Sequence, residues 1–131
     1  MATWKELRSY ISSNYKLMEG STEEFLRMGF NLDGRSQLVF VQTVKDPAGE
    51  QWVQISSIVG NVPKVDLRKA CSAAARLGIG GIIVRDGMDE VFLSHSVPLK
   101  NIDINEFEDP LSIVCLAADL MEKEFTSKDE Y

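Results

Sequence analysis

An Asp-Gly pair between two alternating apolar stretches is the feature that most constrains the fold. Asp33-Gly34 separates "FLRMGFNL" from "SQLVFVQTV". Such a pair is typical of two-residue β-hairpin turns, because both turn residues adopt positive φ. A turn of this kind pairs Leu32 with Arg35 and thereby fixes which side chains share a face.

This register gives the predicted sheet one face that belongs in the core and a second face that is also apolar. The core face carries Leu26, Met28, Phe30, Val39 and Val41. A third strand over "QWVQISSIVG" follows a longer loop, which allows either phase. The phase that matches β-branched residues adds Val53, Ile55 and Val59 to the same side. The second face is formed by residues of all three strands: Phe25, Arg27 and Gly29, then Leu38, Phe40, Gln42 and Val44, and then Trp52, Gln54, Ser56 and Ile58.

Helical periodicity around these strands completes the order of elements. A capping box, Thr3-x-x-Glu6, predicts a first helix over about residues 4–18. A second helix follows "NVPKVD", a hairpin turn spans Asp86 to Asp89, and a last helix is predicted to begin at Pro110 after the connector "PLKNIDINEFEDP". The order α-β-β-β-α-β-β-α predicts an α+β fold with a mainly antiparallel five-stranded sheet. The length of 131 residues predicts a single domain (1–131), with a charged tail at 126–131.

The glycine-rich stretch "LGIGGIIVRDG" (77–87) is predicted to be a turn rather than a phosphate-binding loop. It follows a helix and precedes a strand, whereas a phosphate loop has a strand before it and a helix N-terminus after it. Gly78 fits a left-handed helix C-terminal cap.

The composition argues against nucleic-acid binding and gives little indication of a catalytic site. The chain has 14 basic and 20 acidic side chains, a net charge of −6, whereas binding to nucleic acid depends on basic surfaces. His95 is the only histidine and is expected on the core side, while Cys71 and Cys115 are expected to be buried and reduced. We predict no catalytic residues, no metal site and no cofactor. No signal peptide or membrane-spanning stretch is expected, which predicts a cytoplasmic protein.

The apolar second face leaves two interpretations open. Either the second helix or a loop covers it, or it binds an extended peptide or a second subunit. In the second case the predicted partner-binding residues are Leu38, Phe40, Gln42, Val44, Trp52, Gln54 and Ile58.

Four stretches together with the element order resemble a known family. The order resembles the type III secretion chaperone-like fold, and the stretches resemble YbjN-like proteins that share it. These stretches are "GRSQLVFVQ" (34–42), "WVQISSIVG" (52–60), "VFLSHSVPLKNID" (91–103) and "AADLMEKEF" (117–125). The resemblance implies a non-enzymatic homodimer, chaperone-like or a regulatory adaptor, that binds another polypeptide. It further implies a dimer interface on the second helix at Leu67, Ala70 and Ala74.

Two other functions fit the same residues. One is a small-ligand sensor or enzyme with a cleft between the second helix and the sheet, where Arg68, Arg85 or His95 would be the polar anchors. The other is an immunity-like inhibitor that binds a basic target through its acidic surface, which predicts salt-sensitive binding.

Overall fold

The computed structural model describes residues 3–126 and shows three helices beside one five-stranded sheet. All four pairs of neighbouring strands are antiparallel, in the order β1-β2-β3-β5-β4. The predicted α+β class and element order are therefore confirmed. The elements are α1 (Trp4–Asn14), β1 (Phe25–Leu32), β2 (Arg35–Lys45), β3 (Gln51–Asn61), α2 (Leu67–Ala75), β4 (Gly81–Val84), β5 (Glu90–Pro98) and α3 (Ile104–Thr126).

The first hairpin has the predicted register. Leu32 pairs with Arg35, and Met28 with Val39. Asp33 and Gly34 have φ of 51° and 83°, as the two-residue turn requires. The second hairpin is confirmed as well, because β4 and β5 pair as expected across the turn of residues 85–89.

All three helices pack on one face of the sheet. Leu7 and Ile11 of α1 lie in one core cluster with β1, β2 and the first half of α3. Ala70 and Ala74 of α2 lie in a second cluster with β5 and the second half of α3. The core face is the predicted one, and its members Leu26, Met28, Val39, Val41, Val53, Ile55 and Val59 are fully buried.

The first helix ends at Asn14, four residues before the predicted end. Tyr15 is already extended, with φ of −136° and ψ of 149°. The chain then runs beside the outer edge of β1, where the Met18 amide donates to the Arg27 carbonyl at 2.8 Å. This strand-like pairing satisfies backbone groups that a longer helix would have used.

The last helix begins at Ile104, so the prediction that it begins at Pro110 was wrong. Asp103 and Glu106 form a capping box, in which the Glu106 amide donates to Asp103 Oδ1 at 2.8 Å and the Asp103 amide donates to Glu106 Oε1 at 3.2 Å. Pro110 lies inside the helix, where it removes one backbone hydrogen bond without ending the helix.

The glycine-rich stretch forms the predicted turn between α2 and β4. Gly78 and Gly80 adopt positive φ of 77° and 73°. The predicted tail at 126–131 lies outside the described residues, apart from Thr126 at the end of α3. Within residues 3–126, no helix combines the length and the apolar character that crossing a membrane requires.

Candidate functional site

The predicted partner-binding residues lie on the sheet face that faces away from the helices. We call this surface the open face and define it by Leu38, Phe40, Gln42, Val44, Trp52, Gln54 and Ile58. Cross-strand pairs Gln42–Gln54 and Val44–Trp52 show that β2 and β3 present these side chains on the same side. Ile58 is buried and the other six are half-buried. Because α2 packs on the core face, it does not cover this surface.

The open face contains a cavity of about 260 Å³ between the sheet and the turns at its rim. Three phenylalanines, from β1, β2 and β5, provide its aromatic part. The Phe25 and Phe40 rings stack with centroids 5.5 Å apart, and Phe92 meets Phe40 edge-on at 6.3 Å. The cavity is lined by Gly20, Phe25, Arg27, Phe40, Gln42, Ser56, Ile58, Arg85, Met88, Glu90 and Phe92.

Two arginine side chains lie over the phenylalanine rings of this cavity. The Arg27 Cζ lies 5.8 Å from the centroid of the Phe40 ring, and the Arg85 Cζ lies 5.5 Å from that of Phe92. At these distances each cation is attracted to the face of its ring. The site is therefore apolar at its base and positively charged above it.

Hydrogen bonds hold the polar side chains of the open face in a row. Gln54 Oε1 accepts from Gln42 Nε2 at 2.6 Å and from Arg85 Nη2 at 2.8 Å. Farther along, Trp52 Nε1 donates to Asp46 Oδ2 at 2.9 Å, and this bond is the main reason that the pKa of Asp46 is lowered. Trp52 thus extends the open face outside the cavity, as do Leu38 and Val44.

Arg27, Arg85 and Phe92 are among the cavity residues that the predicted partner-binding set does not contain, as are Phe25, Met88 and Glu90. Pairing of Ile58 with Phe92 places Phe92 on the open face. The expected position of His95 on the core side already implied this placement, because side chains alternate along a strand and Phe92 lies three residues from His95. The register of the first hairpin already implied the position of Arg27 on this face, since Arg27 pairs with Phe40.

The predicted dimer residues on α2 have different environments. Ala70 and Ala74 are 0% and 3% exposed, because they pack against the core of their own chain. Leu67 is 37% exposed and is the member of the three that a second copy could contact. The homodimer stays a prediction.

The three polar anchors of the alternative cleft are not brought together. Arg68 lines a cleft along α2 with Arg76 and Glu124, whereas Arg85 lies over the open face. His95 pairs with Ile55 on the core side, where burial lowers the pKa of its imidazole.

The two cysteines are free and differ in exposure. Cys115 is buried as expected, and burial raises the pKa of its thiol to about 11. Cys71 is exposed, which contradicts the expectation that it is buried. Within residues 3–126, no three side chains of His, Cys, Asp or Glu are grouped so that they could hold a metal ion.

Comparison of the sequence with protein-family models gave no match, and comparison with curated proteins gave none.

Proposed function

We propose that this protein is a non-enzymatic binding module that holds a segment of another polypeptide on its open face. In this proposal it is a cytoplasmic, YbjN-like homodimer and acts as a chaperone-like protein or a regulatory adaptor. The observation that carries the proposal is the phenylalanine-lined cavity on a sheet face that none of the described helices covers.

An apolar side chain of the partner would enter the cavity. Complete burial of a Leu or Phe side chain is worth about 1.5–3 kcal/mol, and large aromatic side chains in pockets dominate the binding energy of many interfaces. The adjacent Leu38, Val44 and Trp52 would extend the contact along the peptide.

The chemistry of the cavity favours binding over catalysis. Its one hydroxyl, that of Ser56, is paired with the Ser94 hydroxyl at 2.9 Å rather than with a general base. A serine nucleophile needs such a base to become reactive.

A peptide library displayed on phage tests the proposal. We expect the wild-type protein to select peptides that share an apolar anchor. Met88 is a suitable site for a variant because it is 40% exposed at the cavity. Met88→Ser should weaken binding of these peptides about tenfold, which corresponds to about 1.4 kcal/mol.

Leu120→Ser is the matched control, since Leu120 is 66% exposed on α3, on the other side of the molecule. It should leave peptide affinity unchanged. Failure to select any peptide, or peptides that bind wild type and Met88→Ser equally, would contradict the proposed function.

The homodimer is tested separately by sedimentation equilibrium. We expect the wild-type protein to dimerise and Leu67→Asp to shift the population toward monomer, because a charge at an apolar contact is costly to bury. A wild-type protein that stays monomeric at high micromolar concentration would remove the dimer from the proposal and leave peptide binding unaffected.

The cavity also supports a second candidate, a sensor of a small aromatic ligand. A ligand that binds only the folded state raises its stability. A metabolite screen that shifts the thermal midpoint of wild type, and less so that of Met88→Ser, would favour this candidate.

A further inference from the structure

The arginines at the cavity have no carboxylate partner within residues 3–126, although acidic side chains outnumber basic ones in this chain. The ion pairs in that part of the chain join Arg35 to Asp119 and Glu122. Arg27 and Arg85 instead lie over aromatic rings at one cavity. Two guanidinium groups without a carboxylate partner at one apolar cavity are unusual and favour an anionic occupant.

The Arg27 guanidinium is held in place by one hydrogen bond and has no carboxylate partner within residues 3–126. Its Nη1 donates to the Glu19 carbonyl at 3.3 Å, and its side chain packs against Gly20, where any Cβ would lie 2.7 Å from Nη1. Its Nε is buried and makes no hydrogen bond. Its Nη2 makes no hydrogen bond within residues 3–126, so this donor remains for an acceptor oxygen of an occupant.

The Arg85 guanidinium is oriented by side chains of the sheet. Its Nη2 donates to Gln54 Oε1, whose second hydrogen bond from Gln42 fixes the amide. Because one nitrogen is used in this way and the group stacks on Phe92, its other N–H groups remain for an occupant.

The charge balance at the cavity favours a single negative charge. Glu90 also lines the cavity, so its carboxylate opposes two guanidinium groups and a net positive charge of one remains. A carboxylate occupant would neutralise this charge. It would also match the planar, forked donors of arginine better than a neutral group does.

We propose that the cavity recognises a Glu or Asp side chain of the partner polypeptide, next to the apolar residue that contacts the phenylalanines. The carboxylate accepts hydrogen bonds from Arg27 and Arg85 above the rings of Phe40 and Phe92. This inference rests on the proposed peptide-binding function and adds the chemical class of the bound segment.

The test uses the strongest-binding acidic peptide from the phage selection and its counterpart in which the acidic residue is replaced by the corresponding amide. We expect the amide peptide to bind wild type about tenfold more weakly, because hydrogen bonds to a charged group are stronger than neutral ones. The affinity of the acidic peptide should also fall as the salt concentration rises.

Arg27→Gln and Arg85→Gln should each weaken binding of the acidic peptide and reduce the difference in affinity between the acidic and amide peptides. Such non-additive losses are expected only where the arginine and the carboxylate interact. Arg68→Gln is the control, since Arg68 is exposed on α2, and circular dichroism establishes that each variant is folded. Should Arg27→Gln fail to fold, Arg85→Gln alone decides the result.

The outcomes separate this inference from the proposed function. Acidic and amide peptides that bind equally, yet both respond to Met88→Ser, would overturn the carboxylate site and leave the open face as a peptide-binding surface. An acidic preference that is undiminished in Arg85→Gln would also overturn it. Peptides insensitive to Met88→Ser would contradict the proposed function itself.

Discussion

Gly80 combines two constraints that only glycine satisfies. Its φ is 73°, and a Cβ at this position would lie 2.8 Å from the Ser94 carbonyl oxygen, which belongs to the backbone of β5. The backbone oxygen cannot move away without disturbing the β3–β5 pairing. Close approach of two backbone segments therefore requires glycine at this point of the chain.

We predict that Gly80→Ala lowers the free energy of unfolding by about 3 kcal/mol, from left-handed strain plus steric overlap. Gly87→Ala is the matched control, because Gly87 has a similar φ of 75° and open space around its Cα. Gly87→Ala should lower the free energy of unfolding by only about 1 kcal/mol. Urea denaturation measures both, and equal losses would show that the contact with Ser94 is unimportant.

Tyr15 illustrates how burial and a hydrogen bond combine at one side chain. Tyr10 and Tyr15 both donate to the carboxylate of Glu108, which joins the end of α1 to α3. Burial, followed by the hydrogen bond to Glu108, raises the pKa of Tyr15 above its ordinary value of 10.0. The folded protein therefore keeps this proton at a pH at which the unfolded chain releases it.

The pH dependence follows from this sign. The contribution of protonated Tyr15 to stability is complete below about pH 10. It is lost as the pH rises above that value, because Tyr15 then ionises only in the unfolded state. Tyr15→Phe should lower the free energy of unfolding by about 1 kcal/mol at neutral pH. The difference in stability between this variant and wild type should shrink between about pH 9 and pH 11. A constant deficit, measured by urea denaturation, would contradict the raised pKa.

At the scale of elements, the capping box of α3 explains why this helix starts before its proline. Asp103 satisfies the Glu106 amide, and Glu106 returns a hydrogen bond to the Asp103 amide. Asp103→Ala should therefore lower the free energy of unfolding by about 1 kcal/mol. Asp109→Ala is the control, since Asp109 is exposed within the helix and should change stability little. A loss no larger than that of the control would contradict the capping role.

The elements that could be predicted from sequence are those defined by local chemistry. Asp33-Gly34 determined the first hairpin because the turn type sets the register. The start of α3 carried an equally local signal, Asp103-x-x-Glu106, but Pro110 dominated the interpretation. The end of α1 had no such signal, because Tyr15 leaves the helix to pair with groups distant in sequence.

At the scale of the whole molecule, the sequence predicted which face of the sheet belongs in the core but not whether the second helix covers the other face. The stripe of small residues on α2 is compatible with a helix on either face, or with a second subunit. In the structure Ala70 and Ala74 lie in one buried cluster with Ala117 and Ala118 of α3, on the core face of the sheet. Such contacts are long-range, so the cavity of the open face emerges only from the assembled fold.

Another long-range contact ties the first hairpin to the last helix. Arg35, at the start of β2, lies 3.0 Å from Asp119 Oδ1 and 3.2 Å from Glu122 Oε1. Glu122 is fully buried, and the Arg35 side chain is 25% exposed. A buried carboxylate is tolerated when it is paired, and loss of its partner leaves a charge in a poorly solvated place.

We therefore predict that Arg35→Met lowers the free energy of unfolding by about 2–3 kcal/mol, as expected when a buried charge loses its partner. Adding Glu122→Gln to Arg35→Met should recover part of this loss, because the second change removes the uncompensated charge. Arg76→Met, at an exposed arginine, controls for the substitution itself. Chemical denaturation measures all three variants. A double variant less stable than Arg35→Met alone would mean that Glu122 stabilises the fold through groups other than this arginine.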